Sequence, residues 1–115
     1  MNIQLVKILT GFYLILILAL SSIPGNAFPE SRLFSHDKLI HLTEYAILGG
    51  LIISAVPKTK KMLFSTILFC MVFGAMDEMW QIMIPGRFSS GFDWIADSVG
   101  GVIGIFTVKF YRRKQ

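Results

Sequence analysis

Ionisable and amide side chains occur at helical spacing inside three otherwise apolar stretches of this sequence. They are Asp37, His41, Glu44 and Tyr45 in the first stretch, Asp77, Glu78 and Gln81 in the second, and Asp93 and Asp97 in the third. Residues four apart share one face of a helix, so each stretch would present its polar groups on one side. Carboxyl and imidazole groups in such a setting are the usual proton donors and acceptors of general acid–base catalysis.

Other interpretations of the same residues are a metal site, a serine nucleophile and a non-catalytic network. Histidine with several carboxylates suits Mg, Mn or Zn, but the sequence has neither an HExxH motif nor a cysteine pair, so it predicts no metal. Ser89 and Ser90 lie in no nucleophile-elbow motif. The non-catalytic interpretation stays open: the polar side chains would form only an interhelical network, with Arg87, Lys38 and His41 as counter-charges.

The stretches that carry these residues are long and apolar enough to span a membrane. The chain has 115 residues, of which 54% are hydrophobic and 16% charged, whereas soluble chains are about a quarter charged. A spanning helix needs roughly 20 mostly apolar residues. Such segments cover about residues 3–23, 39–56, 62–84 and 92–111. The sequence therefore predicts an all-α protein, a bundle of four transmembrane helices in one domain of residues 1–115.

The first segment also has features of a signal peptide. Lys7 precedes an apolar stretch, and small residues follow it up to Ala27, as at a signal cleavage site. The apolar stretch is long for a signal peptide, and three further apolar segments follow it. We therefore expect a retained transmembrane helix.

Lysine and arginine are unevenly distributed between the connections. The 57–61 turn has three lysines and the last four residues hold three basic groups, whereas the other side has Arg32, Lys38 and Arg87 beside Glu30 and Asp37. The positive-inside rule places both termini and the 57–61 turn in the cytoplasm. Membrane topology also accounts for the net charge of +4, so we expect no nucleic-acid partner.

In this orientation the polar residues of three segments lie at one depth near the outer face. We therefore expect them to converge in a single pocket that opens to the outer face. A distance above about 12 Å from His41 to both Asp77 and Asp97 would rule this out, because no water could bridge it. Convergence without an opening would favour the non-catalytic network over an enzyme. Four carboxylates cannot all stay charged there at low cost. Arg87 is the natural counter-ion, since its guanidinium binds a carboxylate or phosphate through two donors.

Glycines continue the acidic face of the last segment. Gly101 and Gly104 follow Asp93 and Asp97 at helical spacing. Because glycine lets the backbone of another helix approach closely, this face is predicted to pack inward against the second and third helices.

Three short motifs follow one another between residues 37 and 104. They are D-K-x-x-H-x-x-x-Y at 37–45, D-E-x-x-Q at 77–81, and P-x-R at 85–87 followed by Asp93, Asp97 and Gly101. Together they resemble the VanZ-like family of small integral membrane proteins. The resemblance implies three or four membrane helices. The family's namesake is associated with resistance to glycopeptide antibiotics of the teicoplanin type.

The sequence thus predicts a multi-pass protein of the bacterial cytoplasmic membrane that binds or acts on a membrane lipid or another amphiphilic envelope molecule. The predicted catalytic residues are His41, Asp77 and Glu78. The predicted binding residues are Asp37, Tyr45, Gln81, Arg87, Asp93 and Asp97. Two alternatives stay open, a non-enzymatic scaffold or interaction protein and an oligomeric proton or ion conduit, and so do the cofactor and the oligomeric state.

Overall fold

The computed structural model describes residues 2–23, 36–86 and 91–113, and these form four α-helices with no strand in the described ranges. The helices are α1 (Ile3–Ser21), α2 (His36–Ala55), α3 (Lys60–Ile82) and α4 (Gly91–Arg113). At 1.5 Å per residue each is about 29 to 35 Å long, which matches the roughly 30 Å hydrocarbon core of a bilayer. All four are long and apolar enough to cross a membrane, so the predicted all-α bundle of four transmembrane helices is confirmed.

The helix ends lie within three residues of the predicted spans, and the largest difference is at α2. This helix begins at His36, three residues before the predicted start, because backbone hydrogen bonding continues past the point where apolar residues give way to polar ones. At α3 the Thr59 side chain accepts a hydrogen bond from the Met62 backbone N–H at 3.1 Å. A threonine in this position satisfies a donor that the first helical turn leaves open, which fixes the start of α3.

Helices α2 and α4 pack most extensively, because glycine brings their backbones together. A Cβ atom built on Gly100 would overlap the carbonyl group of Leu42, and one on Gly104 would overlap that of Ala46. On Gly101 a Cβ would lie 2.9 Å from a side-chain atom of α3. The predicted inward packing of this glycine face is therefore confirmed.

The surface and the interior differ in the way expected for a protein that lies in lipid. Large apolar side chains such as Phe12 and Phe64 are about 70% exposed along the helices, where acyl chains would contact them. Ile53, Cys70 and Ile105 are buried together in the half of the bundle that contains the 57–59 connection. The buried ionisable groups lie in the other half.

Candidate functional site

A short contact between two buried ionisable side chains joins α2 to α4. His41 Nδ1 lies 2.7 Å from Asp97 Oδ1, and the two residues are 4% and 0% exposed. Both helices begin at the same end of the bundle, so a residue in the second turn of α2 meets one in the second turn of α4. With Nδ1 donating to Asp97, a neutral imidazole carries its basic electron pair on Nε2.

Helix α3 brings two more carboxylates to this pair. Glu78 Oε1 lies 3.5 Å from His41 Nδ1, and the Tyr45 hydroxyl donates a hydrogen bond to Asp77 Oδ2 at 3.2 Å. All of these side chains are buried. The distance from His41 to Asp97 is far below the limit of about 12 Å, so these side chains converge. The opening of this site to the outer face stays a prediction.

Asp93 lies at the edge of the same group and contacts a lysine. Lys38 Nζ is 3.6 Å from Asp93 Oδ1, and the lysine side chain is 47% exposed whereas that of the aspartate is 4% exposed. We call the five buried groups from three helices the polar cluster; its members are His41, Asp77, Glu78, Asp93 and Asp97.

The polar cluster contains two groups of three potential metal ligands that lie close together. Ligand atoms of His41, Glu78 and Asp93 lie within 4.8 Å of one another, and so do those of Asp77, Glu78 and Asp97. Imidazole with carboxylates suits Zn or Mn, and carboxylates alone suit Mg. The sequence motifs predicted no metal, but the folded arrangement would be able to hold one.

Two predicted binding residues lie outside the described part of the site. Asp37 is in the first turn of α2, but its side chain is not among those described, and Arg87 lies outside the described residues altogether. Their roles in ligand binding therefore stay predictions.

Gln81 connects the edge of the site to α1. Its amide Nε2 donates to Ser21 Oγ at 3.2 Å, and the neighbouring Trp80 Nε1 donates to Ser22 Oγ at 2.9 Å. The Tyr13 hydroxyl attaches the same helix to the Glu44 backbone carbonyl of α2 at 2.7 Å. The two serines were not predicted as contacts, although paired hydroxyls at the end of an apolar segment and at the depth of Gln81 were the available signal.

Four apolar helices around a buried histidine–carboxylate cluster define a multi-pass membrane protein with ionisable groups near one face of the bilayer. The chain belongs to the VanZ/LLP1 family, whose family model matches residues 4–112. This match confirms the resemblance inferred from the motifs. No curated protein and no solved structure matches the chain.

Proposed function

We propose that this VanZ/LLP1 protein binds an amphiphilic envelope molecule at the outer leaflet of the bacterial cytoplasmic membrane and acts on it by general acid–base chemistry. The observation that carries this proposal is the buried His41–Asp97 pair at 2.7 Å, with Glu78 3.5 Å from the same imidazole nitrogen. A histidine oriented by a carboxylate is a common general base, because the carboxylate fixes the tautomer and stabilises the imidazolium form. Asp77 and Glu78 would exchange protons with it.

The position of the polar cluster favours an amphiphilic ligand. The cluster lies within about two helical turns of the ends of three spanning helices, which is nearer to the head groups of one leaflet than to the middle of the bilayer. A ligand would reach it with a polar group while its apolar part stayed in the bilayer. Because ionised carboxylates only accept hydrogen bonds, hydroxyl or amine groups on that ligand would complement them.

A non-enzymatic scaffold is the second candidate, and burial of the polar cluster favours it. The five residues are at most 6% exposed, and they connect α2, α3 and α4 through direct contacts. Interhelical polar contacts of this kind stabilise membrane bundles without chemistry. In this case the same cluster would hold the helices in place while the lipid-facing surface binds a partner.

A proton or ion conduit through the interior of a single bundle has less support. Beyond the polar cluster, the described interior contains a buried group of Ile53, Cys70 and Ile105. Conduction across a membrane requires polar groups or water along the whole path, and these side chains would interrupt it.

The isosteric change Asp77→Asn separates the enzyme from the scaffold. It keeps an oxygen for the Tyr45 hydroxyl, which is 3.2 Å from Asp77, but removes the carboxylate. We expect the variant to fold and to abolish any change in envelope lipids or teicoplanin susceptibility that the wild-type chain causes. General acid–base groups are typically worth 10²–10⁴-fold in rate. Retention of the wild-type effect would favour the scaffold.

We further propose that both termini and the 57–59 connection face the cytoplasm, as the positive-inside rule requires. The test is a cysteine at Thr59 in a chain whose only cysteine, Cys70, has first been replaced. This residue is exposed at the start of α3, so a reagent on the same side of the membrane can reach it. We expect protection from a membrane-impermeant thiol reagent in intact cells and labelling after lysis. Rapid labelling in intact cells would reverse the topology.

A further inference from the structure

The two ends of the bundle differ sharply in charge. All seven acidic residues lie in residues 30–44 and 77–97, whereas eight of the eleven basic residues lie at position 7 or in residues 58–61 and 109–114. The described parts of these basic segments, which end at residue 113, meet at one end of the bundle, because α2 and α4 finish there while α1 and α3 begin there. We call this region the basic end; its described cations outside α1 are Lys58, Lys60, Lys61, Lys109, Arg112 and Arg113.

A cleft of about 150 Å³ lies within the basic end, between the start of α3 and the last turns of α4. Its polar wall includes Lys58, Lys60, Lys109 and Arg112, and its apolar wall includes Ile53 and Leu63. The N-terminus of α3 adds partial positive charge, because the helix dipole and the first backbone N–H groups point outward. The cleft therefore combines four formal positive charges with an apolar surface.

Arg112 is held in place by the backbone of α2. Its Nη1 donates to the Ile53 carbonyl at 3.0 Å, and its Nη2 donates to the Ser54 carbonyl at 2.9 Å. These carbonyls lie in the last turn of α2, where helical partners are missing. The two hydrogen bonds fix one wall of the cleft, so the cleft is a built feature rather than a chance grouping of mobile lysines.

We propose that this cleft binds the phosphate group of an anionic phospholipid. Basic pockets between transmembrane helices on the cytoplasmic side are a known way to hold such head groups. The apolar wall formed by Ile53 and Leu63, and the exposed rings of Phe106 and Phe110 on the same part of α4, suit an acyl chain that leaves the phosphate. A free anion would gain nothing from contact with those apolar surfaces. This site is separate from the polar cluster and does not depend on the function proposed for it.

The test compares two double variants that remove equal charge from the basic end. Lys58→Gln with Lys60→Gln changes the cleft, whereas Lys7→Gln with Lys61→Gln changes exposed cations outside its lining. The full chain in dodecyl maltoside micelles is titrated with dioleoylphosphatidylglycerol. Apparent affinity is obtained from the rise of each variant's melting temperature above its lipid-free value, since a ligand that binds the folded state stabilises it.

We expect the cleft variant to bind phosphatidylglycerol about tenfold more weakly than the wild type, because each basic group near an anionic head group adds to the binding free energy. The affinity of the control variant should fall by no more than about twofold. Dioleoylphosphatidylcholine should give no specific shift. Equal weakening in both double variants would overturn the site in favour of non-specific attraction. A shift with inorganic phosphate alone that equals the phosphatidylglycerol shift would overturn the assignment to a lipid.

Discussion

Replacing His41 with leucine should lower the free energy of unfolding by about 3–5 kcal/mol, because it leaves the buried Asp97 carboxylate without its 2.7 Å partner. Asp97→Leu should cost less, since Glu78 Oε1 remains 3.5 Å from the same imidazole nitrogen and can balance its charge. The double variant should lose less than the sum of the single losses, because an apolar pair needs no counter-charge. We expect a coupling energy of about 2–3 kcal/mol. The measurement is reversible unfolding in mixed micelles of detergent and denaturing surfactant.

The contact between Lys38 and Asp93 is the control for this cycle. Its lysine side chain is 47% exposed and the atoms are 3.6 Å apart. An ion pair that water reaches contributes only about 0–1 kcal/mol. Lys38→Gln combined with Asp93→Asn should therefore show a coupling energy below that of His41 and Asp97. Equal coupling in the two cycles would contradict the conclusion that His41 and Asp97 form the buried centre of the site.

Leucine at Gly104 should destabilise the bundle by about 3 kcal/mol or more. Overpacking costs most where small shifts of the backbone cannot make room for the larger side chain. A Cβ at this position would overlap the carbonyl oxygen of Ala46 in α2. Any larger side chain must therefore push α2 and α4 apart, and the contact between His41 and Asp97 would be lost with the packing. Thermal unfolding in detergent measures the effect.

The matched control for this prediction is Gly11→Leu in α1. Gly11 is exposed, and nothing lies within 4 Å of a Cβ built on it. Leucine also has a higher helix propensity than glycine, so this variant should be neutral or stabilised by up to about 1 kcal/mol. Similar melting temperatures for the two variants would show that α2 and α4 are not in backbone contact.

The membrane fold and the convergence of the polar groups could be predicted from sequence because both follow from one-dimensional patterns. Long apolar runs must form helices in lipid, where backbone groups satisfy each other within one segment. Short connections then force neighbouring helices to run antiparallel. In this antiparallel order His41, Asp77 and Asp97 lie at one depth, and their helical spacing places each on an inward face.

The pairing within the site could not be predicted, because it depends on how the helices rotate and cross. The sequence gives no reason for His41 to contact Asp97 more closely than Asp77. In the structure that choice follows from the approach of α2 to α4 at Gly100 and Gly104, which is set by contacts with α2 carbonyls rather than by a motif.

The contacts of α1 and of the last turn of α4 were missed for a related reason. Ser21 and Ser22 looked like the end of an apolar segment, but in the fold they accept hydrogen bonds from Gln81 and Trp80. Arg112 looked like a topology signal, but it also binds two carbonyls of α2. A single polar residue at a helix end has many available partners, and only the three-dimensional packing selects one.

The most direct test of the proposed function is to measure the composition of envelope lipids and precursors in four strains. Three strains carry the wild-type chain, the Asp77→Asn variant or the Glu44→Gln variant, and the fourth lacks the chain. Asp77 is buried in the polar cluster, whereas Glu44 is half-buried outside it, so the second variant controls for the loss of one carboxylate. Each chain is produced at equal levels, and the extracts are analysed by mass spectrometry. We predict that at least one amphiphilic species changes with the wild-type chain and with Glu44→Gln but not with Asp77→Asn. Identical profiles in all four strains, or a change that Asp77→Asn retains in full, would contradict an acid–base site that acts on an envelope molecule.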